Sequence, residues 1–200
     1  MGDVTPVLGI LCGLAEEADT LGPLRDDPRL MVRISASSVN RSDVAVGEMV
    51  RAGVQTIVSW GYCGGLDPTL RPGDLIECDV RDVFAAELVI ATAAQKANAR
   101  ASGARIVDLE SGSIARLGLG GRAIRVVLDE SSFDLPAPAL IPLLNDGRPD
   151  VWKVMGACLF APWTFRPMIG VALRRRCALR SLRRARSQVL GILQELDGAD

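Results

Sequence analysis

Three carboxylates stand where a chain of this kind would present chemistry. Glu17, Glu110 and Asp129 each follow an apolar run of strand character, at residues 7–14, 104–107 and 123–128. A further apolar run at 54–60 leads into the glycine-rich stretch Gly61-Tyr62-Cys63-Gly64-Gly65-Leu66. Consecutive glycines leave room for a flat ring or a sugar and expose backbone N–H groups. Acid–base chemistry must come from carboxylates, because the chain has no histidine and its only lysines are Lys96 and Lys153. That absence excludes His-dependent nucleophile systems, the usual catalytic zinc sites and a histidine pH switch.

These groups need elements to hold them. Residues 15–19 read as a helix with acids in its first turn, 30–34 as a strand, and 44–51 as a helix stopped by Gly53. Residues 61–65 read as a loop. Turns at Asp67-Pro68 and Pro72-Gly73-Asp74 precede a strand at 75–80. A short apolar run at 88–91, an alanine-rich helix at 92–101, a strand at 104–107, a helix through 117 and a strand at 123–128 complete the pattern. Alternating strands and helices predict an α/β protein, a three-layer αβα sandwich around a mostly parallel sheet. In such sheets ligands bind at the carboxyl ends of the strands, so Glu17, residues 61–65, Glu110 and Asp129 should converge.

The character changes after Pro136. Residues 135–138, Leu-Pro-Ala-Pro, form a rigid connector, and 152–169 mix aromatic and aliphatic residues. Residues 171–196 repeat Leu179, Leu182, Val189, Ile192, Leu193 and Leu196 at helical steps. The expected organisation is therefore an α/β domain over 1–140 and an aromatic, Arg-rich helical tail over 141–200, packed on it or extending from it.

Composition sets the outer limits. With 48% apolar residues among 200, the chain can bury a sizeable core. A formal charge of −1, from 23 basic and 24 acidic residues, excludes a globally basic nucleic-acid binder. It also hides seven arginines between Arg174 and Arg186. The five cysteines are odd in number and never at CxxC spacing, which reads as free thiols in a reducing compartment. The opening Met-Gly-Asp-Val-Thr-Pro lacks the basic start of a signal peptide, and no run reaches about 18 apolar residues. A cytoplasmic location is expected.

The segments Ser59-Trp60-Gly61-Tyr62-Cys63-Gly64-Gly65-Leu66 and Leu70-Arg71-Pro72-Gly73-Asp74-Leu75 together resemble the nucleoside phosphorylase and nucleosidase family, with its GGL loop and PGD strand start. Three more segments fit in order. Residues 9–17 look like the family's opening strand and catalytic glutamate. Val107-Asp108-Leu109-Glu110-Ser111 looks like its ribose-binding motif, and Arg125-Val126-Val127-Leu128-Asp129 like the strand bearing the purine-facing aspartate. The resemblance implies that Glu17 and Asp129 are catalytic and that Tyr62, Cys63, Gly64, Leu109 and Glu110 bind substrate. It implies a purine nucleoside substrate and no metal or organic cofactor, with phosphate as a conceivable co-substrate. Arg33, Arg41 and Arg71 are candidate phosphate ligands without a motif. Relatives commonly pair, so a homodimer is expected.

The chain departs from the family pattern at Leu128, at Ser35-Ala36-Ser37-Ser38, and between Val80 and Leu88, where relatives carry a further strand–helix stretch. That shortening leaves three alternatives: an open pocket, a wall borrowed from a partner subunit, or an inactive protein. Within the family the tail is most similar to the hopanoid-associated phosphorylases, also described as adenosylhopane nucleosidases. This implies removal of adenine from a lipid-linked nucleoside, adenosylhopane, in hopanoid synthesis. A methylthioadenosine/adenosylhomocysteine-type nucleosidase and a non-catalytic membrane-surface protein are the alternatives. Phe160, Trp163 and Phe165 beside the arginines suit peripheral contact with an anionic membrane, at the inner face of the cell membrane. No specific nucleic-acid contact is expected.

Overall fold

The computed structural model describes residues 5–118 and 121–198. Its strands are β1 Leu8–Cys12, β2 Leu30–Ile34, β3 Thr56–Gly65, β4 Leu75–Asp79, β5 Phe84–Ala85, β6 Ile106–Asp108 and β7 Gly121–Asp129. The α-helices are α1 Ala15–Asp19, α2 Val39–Arg51, α3 Ala93–Arg100, α4 Ser111–Arg116, α5 Val151–Phe160, α6 Phe165–Arg184 and α7 Arg186–Asp197.

One mixed sheet runs β2-β1-β3-β6-β5, with β7 beside β3 and β4 beside β7. β1 pairs in parallel with β2 and β3, β3 with β7, and β5 with β6. β3–β6 and β4–β7 are antiparallel. β3 is the trunk. Its first half lies between β1 and β7; beyond the end of β1, Gly64 and Gly65 pair with β6, while a register shift after Cys63 sets Gly64 opposite Asp129 of β7.

The period-two pattern of the strands sorts side chains onto two faces. Leu8, Ile10, Val58, Trp60, Tyr62, Ile124 and Val126 pack with Leu182, Val189, Ile192 and Leu193 of α6 and α7. Leu11, Ile57, Cys63, Ala123 and Val127 pack with Val46 and Met49 of α2 and Ile114 of α4. The sheet is thus covered on both faces, as the sequence predicts for a three-layer αβα fold. The C-terminal helices supply one of the outer layers. Burying each of Leu182, Val189, Ile192 and Leu193 contributes roughly 1.5–3 kcal/mol. A single core cluster joins residues on both sides of position 140.

Three elements differ from the sequence reading. Residues 61–65 are strand, not loop: their glycines serve close approach rather than chain reversal. α2 begins at Val39, five residues before the Val44 start read from the sequence, because its opening turn is largely polar and buries Ser42 rather than an apolar side chain. The C-terminal helix is two helices that meet at Ala185.

Candidate active site

All seven residues that the sequence singles out line one cavity of about 620 Å³: Glu17, Tyr62, Cys63, Gly64, Leu109, Glu110 and Asp129. The fold explains the convergence. Glu17 follows β1, Glu110 follows β6, and Asp129 ends β7. Tyr62, Cys63 and Gly64 come from the carboxyl half of β3.

Glu17 is buried and held by backbone. Its Oε2 accepts the N–H groups of Gly13 and Leu14, each at 2.8 Å, and its Oε1 accepts Tyr62 N–H at 2.7 Å. The Trp60 indole N–H donates to the Glu17 carbonyl at 3.1 Å, fixing the short helix beneath it. Burial pushes the Glu17 carboxyl up to about 8, against the opposing pull of Arg125 and with a further push from Glu110. A carboxyl poised near neutrality suits proton exchange with a reacting group. Gly61 makes the position accessible: its φ is +145°, and a Cβ there would fall inside the Glu17 carboxyl.

Glu110 belongs to a buried charge network that the sequence reading missed. Arg125, fully buried within β7, donates to Glu110 Oε2 at 2.9 Å and to the Tyr62 carbonyl at 3.0 Å. It also donates to Ser59 Oγ. Its Nε lies 2.8 Å from Asp108 Oδ2, an ion pair without hydrogen-bond alignment. Asp108 accepts from Ser111 Oγ at 2.5 Å and Ser111 N–H at 2.9 Å, and Ser35 Oγ donates to Glu110 Oε1 at 3.2 Å. Burial raises the Glu110 carboxyl above its ordinary value, and Arg125 opposes the rise. One cation therefore bridges two adjacent carboxyl groups and fixes the orientation of Glu110.

Asp129 has a different partner. Lys96 of α3 is fully buried, and its ammonium donates to Asp129 Oδ2, to the Glu130 carbonyl at 2.9 Å and to the Phe133 carbonyl at 2.8 Å. All three ammonium donors are used. Burial raises the Asp129 carboxyl while Lys96 holds it down, and the net direction is upward. From the other side Arg174 of α6 grips Glu130 at 2.6 and 3.0 Å and stacks over the Phe133 ring, 3.9 Å from its centroid.

The remaining residues have plainer positions. Cys63 is buried, which pushes its thiol up and leaves it unreactive. The Tyr62 ring packs into the core, with its hydroxyl donating to Glu16 at 3.1 Å, so its backbone is what faces Glu17 and Arg125. Leu109 and Leu128 line the cavity. Of the three candidate phosphate-binding arginines, only Arg41 lines it, and its guanidinium donates to the Asn145 carbonyl at 3.0 Å. Arg33 pairs with Glu48, and Arg71 is tied to the Pro68 and Leu70 carbonyls.

The shortened stretch between Val80 and Leu88 holds a single 3₁₀ turn and the two-residue β5. Leu88 and Val89 beyond it form an exposed rim of the cavity. Leu140, Ile141, Leu143 and Val171 also line the cavity. The segment after Leu143 supports Glu17 as well. The Gly147 carbonyl accepts Ala15 N–H at 3.1 Å, and a Cβ at Gly147, φ +77°, would meet Ile34 at 2.6 Å.

Two buried ions were legible in outline. Arg125 is a lone charge inside Ile124-Arg125-Val126-Val127, and a charge in a buried strand must be paired. Asp108 sits inside the motif that carries Glu110. Nothing in the alanine-rich 92–101 stretch marks Lys96 as buried.

The sequence matches no protein-family model and no curated protein. Solved structures do share the fold. A 5'-methylthioadenosine/S-adenosyl homocysteine nucleosidase of Campylobacter jejuni aligns with a TM-score of 0.63 at 12% identity, over 95% of this chain and 99% of that one. The Helicobacter pylori enzyme of the same name, bound to butyl-thio-DADMe-Immucillin-A, aligns at 0.60 and 11% identity over 96% and 99%. Futalosine hydrolase of Helicobacter pylori aligns at 0.55 and 13% identity, over 64% of this chain and 86% of that chain. The architecture is the nucleosidase α/β fold with a C-terminal helical stretch.

Proposed function

We propose that this protein cleaves the N-glycosidic bond of a purine nucleoside, as its structural neighbours' names describe for them. The observation that carries the reading is the convergence of Glu17, the Arg125-held Glu110 and the Lys96-held Asp129 around one cavity. Breaking the bond between the sugar and the purine builds positive charge on the sugar and negative charge on the departing base. Asp129, pushed upward by burial, gives a proton to N7 of the leaving purine. The Lys96 side chain, held against Asp129, lies beside the carboxylate left behind. In its ionised form Glu17 takes a proton from the attacking water and faces the cationic sugar, while Glu110 accepts hydrogen bonds from ribose hydroxyls. The products are the free base and the sugar. With phosphate as nucleophile the sugar would leave as its 1-phosphate, and Arg41, which lines the cavity, would be the cation to meet it.

The substrate we favour is adenosylhopane, in hopanoid synthesis. The support is the apolar lining formed by Leu140, Ile141, Leu143, Leu88 and Val89, which suits a nucleoside carrying a large apolar group. The alternative, a methylthioadenosine or adenosylhomocysteine nucleosidase, is favoured by the names of the neighbouring structures.

Adenine release measured with each nucleoside, with and without phosphate, tests the reading. Asp129→Asn should lower turnover by roughly 10²–10⁴-fold while substrate still binds. Preference for the apolar nucleoside supports the hopanoid assignment, and preference for methylthioadenosine selects the alternative. No release from any of them would leave a non-catalytic protein on a nucleosidase fold.

A further inference from the structure

The largest unexplained feature lies away from the acids. Phe160 is 91% exposed, Trp152 82% and Trp163 77%, and Leu159, Phe165, Ile169 and Leu173 are exposed beside them. Exposed apolar side chains this concentrated in one stretch of chain mark an interaction site. These residues belong to α5, to the 3₁₀ turn Pro162–Thr164 and to the first half of α6, two helical arms bent by 116°. No single helix there is long and apolar enough to cross a membrane.

The charge pattern says what would cover the surface. Residues 151–194 contain nine basic and no acidic residues, in a chain whose total is balanced. Two of the arginines are committed to the fold: Arg174 holds Glu130 and Arg175 holds Glu16. Arg176, Arg180 and Arg183 are exposed and make no ion pair among the described residues. At 100° per residue they continue the exposed face that begins with Phe165, Ile169 and Leu173. One face of α6 is therefore apolar in its first half and cationic in its second. A second copy of the chain is a poor occupant, because self-pairing would set these arginine rows against like charge. A nucleic acid could stack bases on the aromatics but would leave the exposed aliphatic Leu159, Ile169 and Leu173 uncovered.

We infer that the α5–α6 hairpin seats the protein on an anionic lipid bilayer, with Phe160 and Trp163 immersed at the headgroup boundary and Arg176, Arg180 and Arg183 on lipid phosphates. Helices with one aromatic and one basic surface lie in this zone at shallow depth. The hairpin packs on Ala137–Leu140, and Leu140 and Val171 line the cavity, so the site opens beside the lipid surface. This last point rests on the proposed nucleosidase reading, whereas the docking itself does not.

Vesicle sedimentation tests it, using phosphatidylcholine alone and mixed with phosphatidylglycerol. Point variants are required, since α6 and α7 complete the core. The intact protein should bind the anionic vesicles, shift its tryptophan emission to the blue and release as salt rises. R176E/R180E/R183E should lose roughly a hundredfold in affinity, about fivefold per arginine. F160S/W163S should lose binding while still releasing adenine from a soluble nucleoside, which separates failure of docking from failure of the catalytic reading. An intact protein that ignores anionic vesicles at low salt overturns the inference. So does a dimer that F160S/W163S dissolves, or binding to phosphatidylcholine equal to that on the anionic mixture.

Discussion

The end of the sheet and the α5–α6 hairpin invert the usual distribution of residues in opposite ways. At the sheet end, Arg125, Lys96, Glu17, Glu110, Asp108 and Asp129 are all buried. On the hairpin, two of the three tryptophans and two of the four phenylalanines stand in solvent. Folding alone would favour neither. Buried ions cost desolvation that their pairing only partly offsets, and exposed aromatics forgo burial. The buried charges are each tied into a network, so removing one harms its neighbours. The exposed apolar groups are tied to nothing, so removing them should leave the fold intact.

That contrast can be broken most forcefully at Arg125. Arg125→Met should cost roughly 3–5 kcal/mol of stability, because Asp108 and Glu110 are left buried without a cation. The triple change D108N/E110Q/R125M should recover part of the loss. Denaturant midpoints give both values, and an Arg125→Met protein as stable as the parent would dissolve the distinction between the two regions.

A smaller effect comes from pH. Folding raises the Glu17 carboxyl from its ordinary 4.5 to about 8, so the folded chain holds a proton that the unfolded chain has released. Stability is therefore greatest at the acid end of this window, falls as pH rises and levels off above about 8. Glu110 and Asp129 shift the same way and add to the slope. Glu17→Gln should flatten it, as read from unfolding midpoints between about pH 5 and 8. A slope unchanged in the variant would show that Glu17 carries no excess proton.

The smallest effect belongs to the hairpin. F160S/W163S should change stability by no more than about 0.5 kcal/mol, the range of ordinary surface substitutions. A loss several times larger would mean that the aromatic tip packs on the protein in solution.

Much of this was readable from the chain. The αβα layering followed from strand-like runs alternating with helical ones, and Glu17, Glu110 and Asp129 were conspicuous as acids just past strands. The failures have physical reasons. Residues 61–65 read as a loop because glycine usually reverses a chain, but here the strand is crowded by Glu17 and Val107, and only glycine leaves them space. Helical spacing already shows that the arginines between 174 and 186 cannot all face one way, but not which of them fold back: Arg174 and Arg175 hold Glu130 and Glu16, 44 and 159 residues away in sequence. Lys96 gave no signal because its partners are carbonyls and a carboxylate that only the folded turn brings together.

Gly61 carries a consequence for anyone who maps this protein by saturation mutagenesis. Its backbone lies in a region that disfavours every other residue, and the space a side chain would need is filled by the Glu17 carboxyl. Codon 61 should therefore tolerate no replacement in a screen scored on turnover, and it would rank beside the acids themselves. The residue offers no functional group at all. Its intolerance is inherited from Glu17, so a position with no chemistry of its own can mark, by its silence to substitution, where the chemistry is.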